Sequence, residues 1–114
     1  MRKKLFLMRP RILPVILGAA LTSVCPTAAA DFTVVQKNTE FSVRQLTLKV
    51  GDQVTFVNSD TVTHNVYSET KGLEFEIELQ PPGRSDTVRF SRPGVAAISC
   101  AIHPNMKLRL DVKE

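Results

Sequence analysis

The chain has 114 residues, 43% of them apolar, with a formal net charge of +4 and two cysteines. That length allows one domain and excludes a multidomain architecture. The positive charge is local: Arg2, Lys3, Lys4, Arg9 and Arg11 precede any acid, and the rest holds ten Lys and Arg against eleven Asp and Glu, so it gives no ground for a nucleic-acid or anionic-membrane partner.

Met1–Arg11 is a basic segment, Ile12–Val24 is mostly apolar, and Ala28-Ala29-Ala30 precedes Asp31. This order reads as a secretory signal cleaved after Ala30, leaving 31–114 as the exported domain. The apolar run is too short to span a bilayer, which takes about 20 residues, and Pro14 and Gly18 interrupt it. A lipid anchor on Cys25 is disfavoured, because Val24 is bulkier than the small residue expected before a lipidated cysteine. Export to the periplasm would leave Cys100 as a lone thiol in an oxidising compartment, with no internal disulfide partner.

Beyond Asp31 the periodicity is that of strands. Phe32–Val35, Leu46–Val50 and Gln53–Val57 come first, the last two separated by a Gly51-Asp52 turn. His64–Tyr67 follows the Asn58-Ser59-Asp60 break. Phe75–Leu79 alternates Phe75, Ile77 and Leu79 against Glu74, Glu76 and Glu78, a solvated acidic face. Pro81-Pro82-Gly83 and Pro93-Gly94 bound Asp86–Phe90, and Val95–Cys100 and Leu108–Val112 complete the set. With no long amphipathic helix and no repeat, short strands punctuated by turns indicate a β-sandwich.

Cys100, His103 and Met106 fall within seven residues, in a turn stiffened by Pro104 between two strands. Thiolate and thioether are soft ligands that favour copper, and two His, one Cys and a weak axial Met form a blue-copper electron-transfer site. The only other histidine is His64, at a strand start after a turn, which makes it the fourth candidate ligand. Asn65, beside it, is placed to clamp the two ligand loops together. A Cys100–His103 nucleophile pair is the enzymatic alternative. It lacks support, since no acid is placed beside either histidine to orient it and a thioether has no part in acyl transfer.

The mature chain resembles the cupredoxins, in particular the amicyanin and plastocyanin-like group and the small proteins labelled methylamine-utilisation. The resemblance rests on LTLKVGDQVTFVNSDTVTHNV from Leu46, PPGRSDTVRFSRPG from Pro81, and CAIHPNM with its short Cys-x2-His-x2-Met spacing. It implies an antiparallel Greek-key β-sandwich with His64, Cys100, His103 and Met106 on one copper ion. It also implies a soluble monomeric one-electron carrier serving redox partners such as a dehydrogenase or c-type cytochrome. A copper chaperone or buffer with the same ligands is the second reading. Val95–Ser99, leading into Cys100, are small or aliphatic where the family often has aromatics, and the short N-terminal part suggests a reduced edge strand.

Overall fold

The computed structural model describes residues 10–23 and 28–114. The basic residues up to Arg9 and Cys25 lie outside the described residues. Pro10–Ser23 forms neither helix nor strand, and Ile12, Leu13, Val15, Ile16, Leu17 and Leu21 are all exposed. No helix among the described residues is long and apolar enough to cross a membrane.

Nine strands follow. They are β1 (Asp31–Lys37), β2 (Glu40–Phe41), β3 (Gln45–Lys49), β4 (Gln53–Asn58), β5 (His64–Ser68), β6 (Phe75–Gln80), β7 (Ser85–Arg89), β8 (Gly94–Cys100) and β9 (Lys107–Lys113). They form two sheets, β2-β1-β4-β7 and β3-β9-β8-β5-β6. The chain changes sheet between β2 and β3, β3 and β4, β4 and β5, β6 and β7, and β7 and β8, so the sandwich expected from the alternation is what forms. Most neighbours run antiparallel, whereas β1/β4 and β3/β9 pair in parallel. The pattern of each strand cannot reveal that choice, because direction is decided by which partner the strand meets.

Strand alternation explains the core. Val54 and Phe56 of β4, Val66 of β5, Ile98 of β8 and Leu108, Leu110 and Val112 of β9 turn inward and are buried. Phe41, Phe56, Phe75 and Phe90 make a continuous aromatic path between the sheets, with successive centroids 6.5, 5.8 and 5.7 Å apart. Burial on this scale stabilises by about 1.5–3 kcal/mol per large side chain.

Two features departed from the strand pattern. The edge strand β2 has two residues, joined to β1 by Asn38 and Thr39 at φ 53° and 56°. Both occupy the left-handed region, as a two-residue hairpin turn demands. Asn38 suits that region but Thr39 stands where Gly is usual, so the pair lacks the full Asn-Gly signature of such a turn. Second, β6 does not keep its alternation. His64 pairs with Gln80 while Val66 pairs with Ile77, which leaves an extra residue in β6. This bulge reverses the faces beyond Ile77: Leu79, expected inward with Phe75 and Ile77, is 65% exposed, and Gln80 is fully buried. Glu74, Glu76 and Glu78 are solvated as expected.

One end of the sandwich collects four connections. β4 ends at Asn58 opposite Gln36 of β1, so the Asn38–Thr39 turn and the Ser59–Thr63 loop lie together. β5 starts at His64 where β6 ends at Gln80, and β8 runs out beside Val66 at Cys100.

Candidate metal centre

His64 opens β5 and Cys100 closes β8. Because β5 and β8 are antiparallel neighbours with Val66 opposite Cys100, both side chains reach the same end of the five-stranded sheet. Residues 101–106 then turn back into β9, and the Met106 N–H donates to the His103 carbonyl at 3.0 Å, which closes the turn. The turn swings His103 over Cys100. The Cys100 Sγ lies 3.8 Å from His64 Nδ1 and 3.8 Å from His103 Nδ1. The three candidate ligand atoms fall within 4.8 Å of one another. The imidazole centroids are 4.9 Å apart, with the rings inclined at 61°.

These separations suit three ligands converging on one ion, since first-row metal–nitrogen and metal–sulfur bonds run to about 2.0–2.3 Å. The donors, two imidazole nitrogens and a thiol, with the Met106 thioether on the same short loop, fit copper better than zinc or a hard cation. Burial is graded. His64 is fully buried, and Cys100 and Met106 are 2% and 1% exposed, whereas His103 is half-buried. Water therefore meets the centre at His103. Ile102, 48% exposed, stands beside it in the loop, and Leu79, Pro81, Pro82 and Pro104 are exposed on loops and strand ends at the same end.

Asn65 links the start of β5 to the end of β8 through its main chain. Its N–H approaches Cys100 Sγ at 3.4 Å, and its carbonyl accepts from Ala101 N–H at 3.3 Å. Its side-chain Nδ2 reaches only Glu76 Oε1, at 3.4 Å, and its Oδ1 is buried with no partner.

Sequence reading missed Asp60. It reads as a turn residue, and no acid was expected beside a histidine. Its Oδ2 lies 3.1 Å from His64 Nε2. The same oxygen accepts Thr39 N–H at 2.8 Å, and Oδ1 accepts Thr61 N–H at 2.8 Å. Those two N–H groups, Thr39 first, hold the Asp60 carboxyl below the ordinary carboxylate range. The i, i+4 spacing of Asp60 and His64 was the available signal, and it went unread because that spacing usually means a helix.

Beneath this loop lies a polar brace. Asn58 Nδ2 donates to the carbonyls of Val62 and Gln80, at 2.9 and 2.8 Å. Gln80 Nε2 donates to Phe56 O and Asp86 Oδ2, each at 2.9 Å, and Gln36 bonds Gln80 Oε1. The β6 bulge makes this possible by turning Gln80 inward.

Residues 28–113 match the copper binding proteins of the plastocyanin/azurin family. The chain is 36% identical over 104 residues to the methylamine utilization protein MauL of Methylorubrum extorquens, covering 90% of this chain and 91% of that one. It is 29% identical over 99 residues to amicyanin-alpha of the same organism, covering 84% and 83%. Among solved structures, a Cu(I) amicyanin variant superposes with a TM-score of 0.68 at 22% identity, over 73% of this chain and 82% of that one. A copper-containing nitrite reductase from Thermus scotoductus gives 0.69 at 27% identity, over 80% of this chain and 25% of the enzyme.

Proposed function

Because the chain belongs to the plastocyanin/azurin family of copper-binding proteins and has copper as its cofactor, we propose that it is a soluble one-electron carrier whose metal is held by His64, Cys100, His103 and Met106. The carrying observation is the convergence of His64 Nδ1, Cys100 Sγ and His103 Nδ1 at a buried point that meets the surface only through His103. Copper so bound alternates between Cu(II) and Cu(I).

The residues supply what such a carrier needs. Cys100 and His64 are fixed at the ends of paired strands, and the Asn65–Ala101 and Met106–His103 main-chain bonds hold the ligand turn. A set fixed in this way changes little with the charge it holds, which keeps reorganisation small. His103 is the exit for the electron, and Ile102 with the neighbouring prolines gives a small apolar docking area suited to short-lived encounters.

The second reading, copper handling by a chaperone or buffer, is less well supported. Handing over metal requires a thiolate that an incoming ligand can reach, and Cys100 is 2% exposed. Buried Cys100 and His64 also argue against a thiol nucleophile, even though Asp60 adjoins His64, since a substrate would have no access to the sulfur.

Residues 1–30 act as a cleaved signal, and 31–114 work as a periplasmic monomer that exchanges electrons with proteins such as a dehydrogenase or c-type cytochrome. The exposed, unstructured apolar residues from Ile12 to Leu21 support this reading. The test uses the copper-loaded protein. An intense Cys–Cu(II) charge-transfer band is expected, lost in Cys100→Ser with the β-sheet circular dichroism retained. Ile102→Lys should keep the band and slow electron exchange. A Cys100→Ser protein that stays intensely blue would overturn the ligand set, and rapid loss of Cu(I) to a mild chelator would favour handling.

A further inference from the structure

We infer that Asp60 is a positioning residue for His64, fixing which ring nitrogen faces Cys100 and tying that choice to the Asn38–Thr39 turn of the opposite sheet. The inference builds on the ligand assignment proposed above.

An ionised carboxylate only accepts hydrogen bonds. With Asp60 Oδ2 at 3.1 Å from His64 Nε2, that nitrogen carries the proton, and the lone pair lies on Nδ1, which faces Cys100 Sγ at 3.8 Å. The ring is fully buried, so water does not compete for Nε2. His103 has no such partner: among the described residues its side chain bonds only Cys100. The two imidazoles are therefore not equivalent donors.

Asp60 cannot easily swing away. Its two oxygens take the Thr39 and Thr61 N–H groups, each at 2.8 Å, and its own N–H donates to Asn58 Oδ1 at 2.9 Å. The Thr39 N–H is aimed by a turn in which a β-branched residue sits at φ 56°. A β-branched side chain in the left-handed region is an outlier that persists only when its surroundings hold it there. The turn belongs to the four-stranded sheet and His64 to the five-stranded sheet, so one carboxylate passes the position of one layer to a ligand in the other. A carboxylate behind a ligand histidine also raises its donor strength, which favours the higher metal charge.

The test begins with the metal-free protein. Long-range proton–nitrogen correlation on ¹⁵N-labelled histidine, at about pH 8 where free imidazole is neutral, should show His64 with the proton on Nε2. In Asp60→Ala the same ring should show a mixture of tautomers. Copper-loaded Asp60→Ala should lose affinity by about ten- to hundred-fold. Cu(II) should lose more than Cu(I), and each tenfold difference raises the potential by about 59 mV for one electron. If Asp60 only caps the loop, Asp60→Ala lowers the melting temperature and leaves the tautomer and the potential unchanged; that result overturns the inference. If the variant does not fold, the wild type decides alone, because a dominant Nδ1–H form refutes the inference and leaves the ligand set standing. A His64→Ala protein with unchanged copper affinity and spectrum overturns both.

Discussion

The Asn65 N–H points at Cys100 Sγ from 3.4 Å, while the Asn65 carbonyl takes the Ala101 N–H at 3.3 Å, so one residue grips both sides of Cys100 with its backbone. An N–H directed at a thiolate stabilises its charge, and the grip is indifferent to the side chain.

Asn65→Ala should therefore keep the copper site. Removing Oδ1, which is buried with no partner, relieves a desolvation cost, while losing the Glu76 contact at 3.4 Å gives up little. The expected stability change lies within about 1 kcal/mol of zero, with the visible band unmoved. Chemical denaturation and the absorption spectrum check this; loss of the band would assign the clamp to the side chain instead.

Copper should raise the melting temperature. The described domain has no disulfide, since Cys100 is free, and the proposed ligands come from separate segments that meet only in the folded chain. Binding to the native state alone adds about 4 kcal/mol when copper is at a thousand times its Kd. Calorimetry of the apo and loaded forms measures the difference. Equal melting temperatures with copper bound would mean that the unfolded chain binds it as well.

Thr39→Gly should stabilise the apo domain. Thr39 holds φ 56°, a conformation costing a non-Gly residue roughly 1–2 kcal/mol, and Asn-Gly is the preferred pair for such a turn. The N–H that reaches Asp60 survives the change. A gain of about 1 kcal/mol is expected by urea titration, and a net loss would show that the Thr side chain contributes more than its strain.

Acid should weaken the fold through Asp52. The Lys49 N–H, and after it the Ala30 N–H, hold the Asp52 carboxyl below its ordinary value, each bond being 2.8 Å long. A carboxyl depressed in the folded state adds stability above its unfolded pKa, about 3.9, and that contribution fades as pH falls through the folded value. The larger bond, from Lys49, does not depend on where the leader is cut, whereas Ala30 is the last residue of the proposed leader. Asp52→Asn should lower stability at neutral pH, and the difference from wild type should shrink as pH falls below about 3.9, the ordinary carboxyl value. Parallel curves across that range would remove Asp52 from the acid response.

The eight longer strands and the Cys100–His103–Met106 cluster were legible because each rests on local information. Period-two alternation marks a strand wherever it ends up, and three soft or imidazole donors within seven residues carry their meaning in their spacing. What remained hidden depends on partners distant in the chain. Parallel pairing of β1 with β4 and of β3 with β9 is decided by assembly. The β6 bulge that exposes Leu79 and buries Gln80 arises because β6 must register with both His64 and Val66. Asp60 reads as an ordinary turn residue until Thr39, 21 positions earlier, is folded against it. The sequence by itself determined the candidate donors and the strands that frame them. Only the tertiary structure decided which nitrogen of His64 faces Cys100, because that depends on a carboxylate held in place by the opposite sheet.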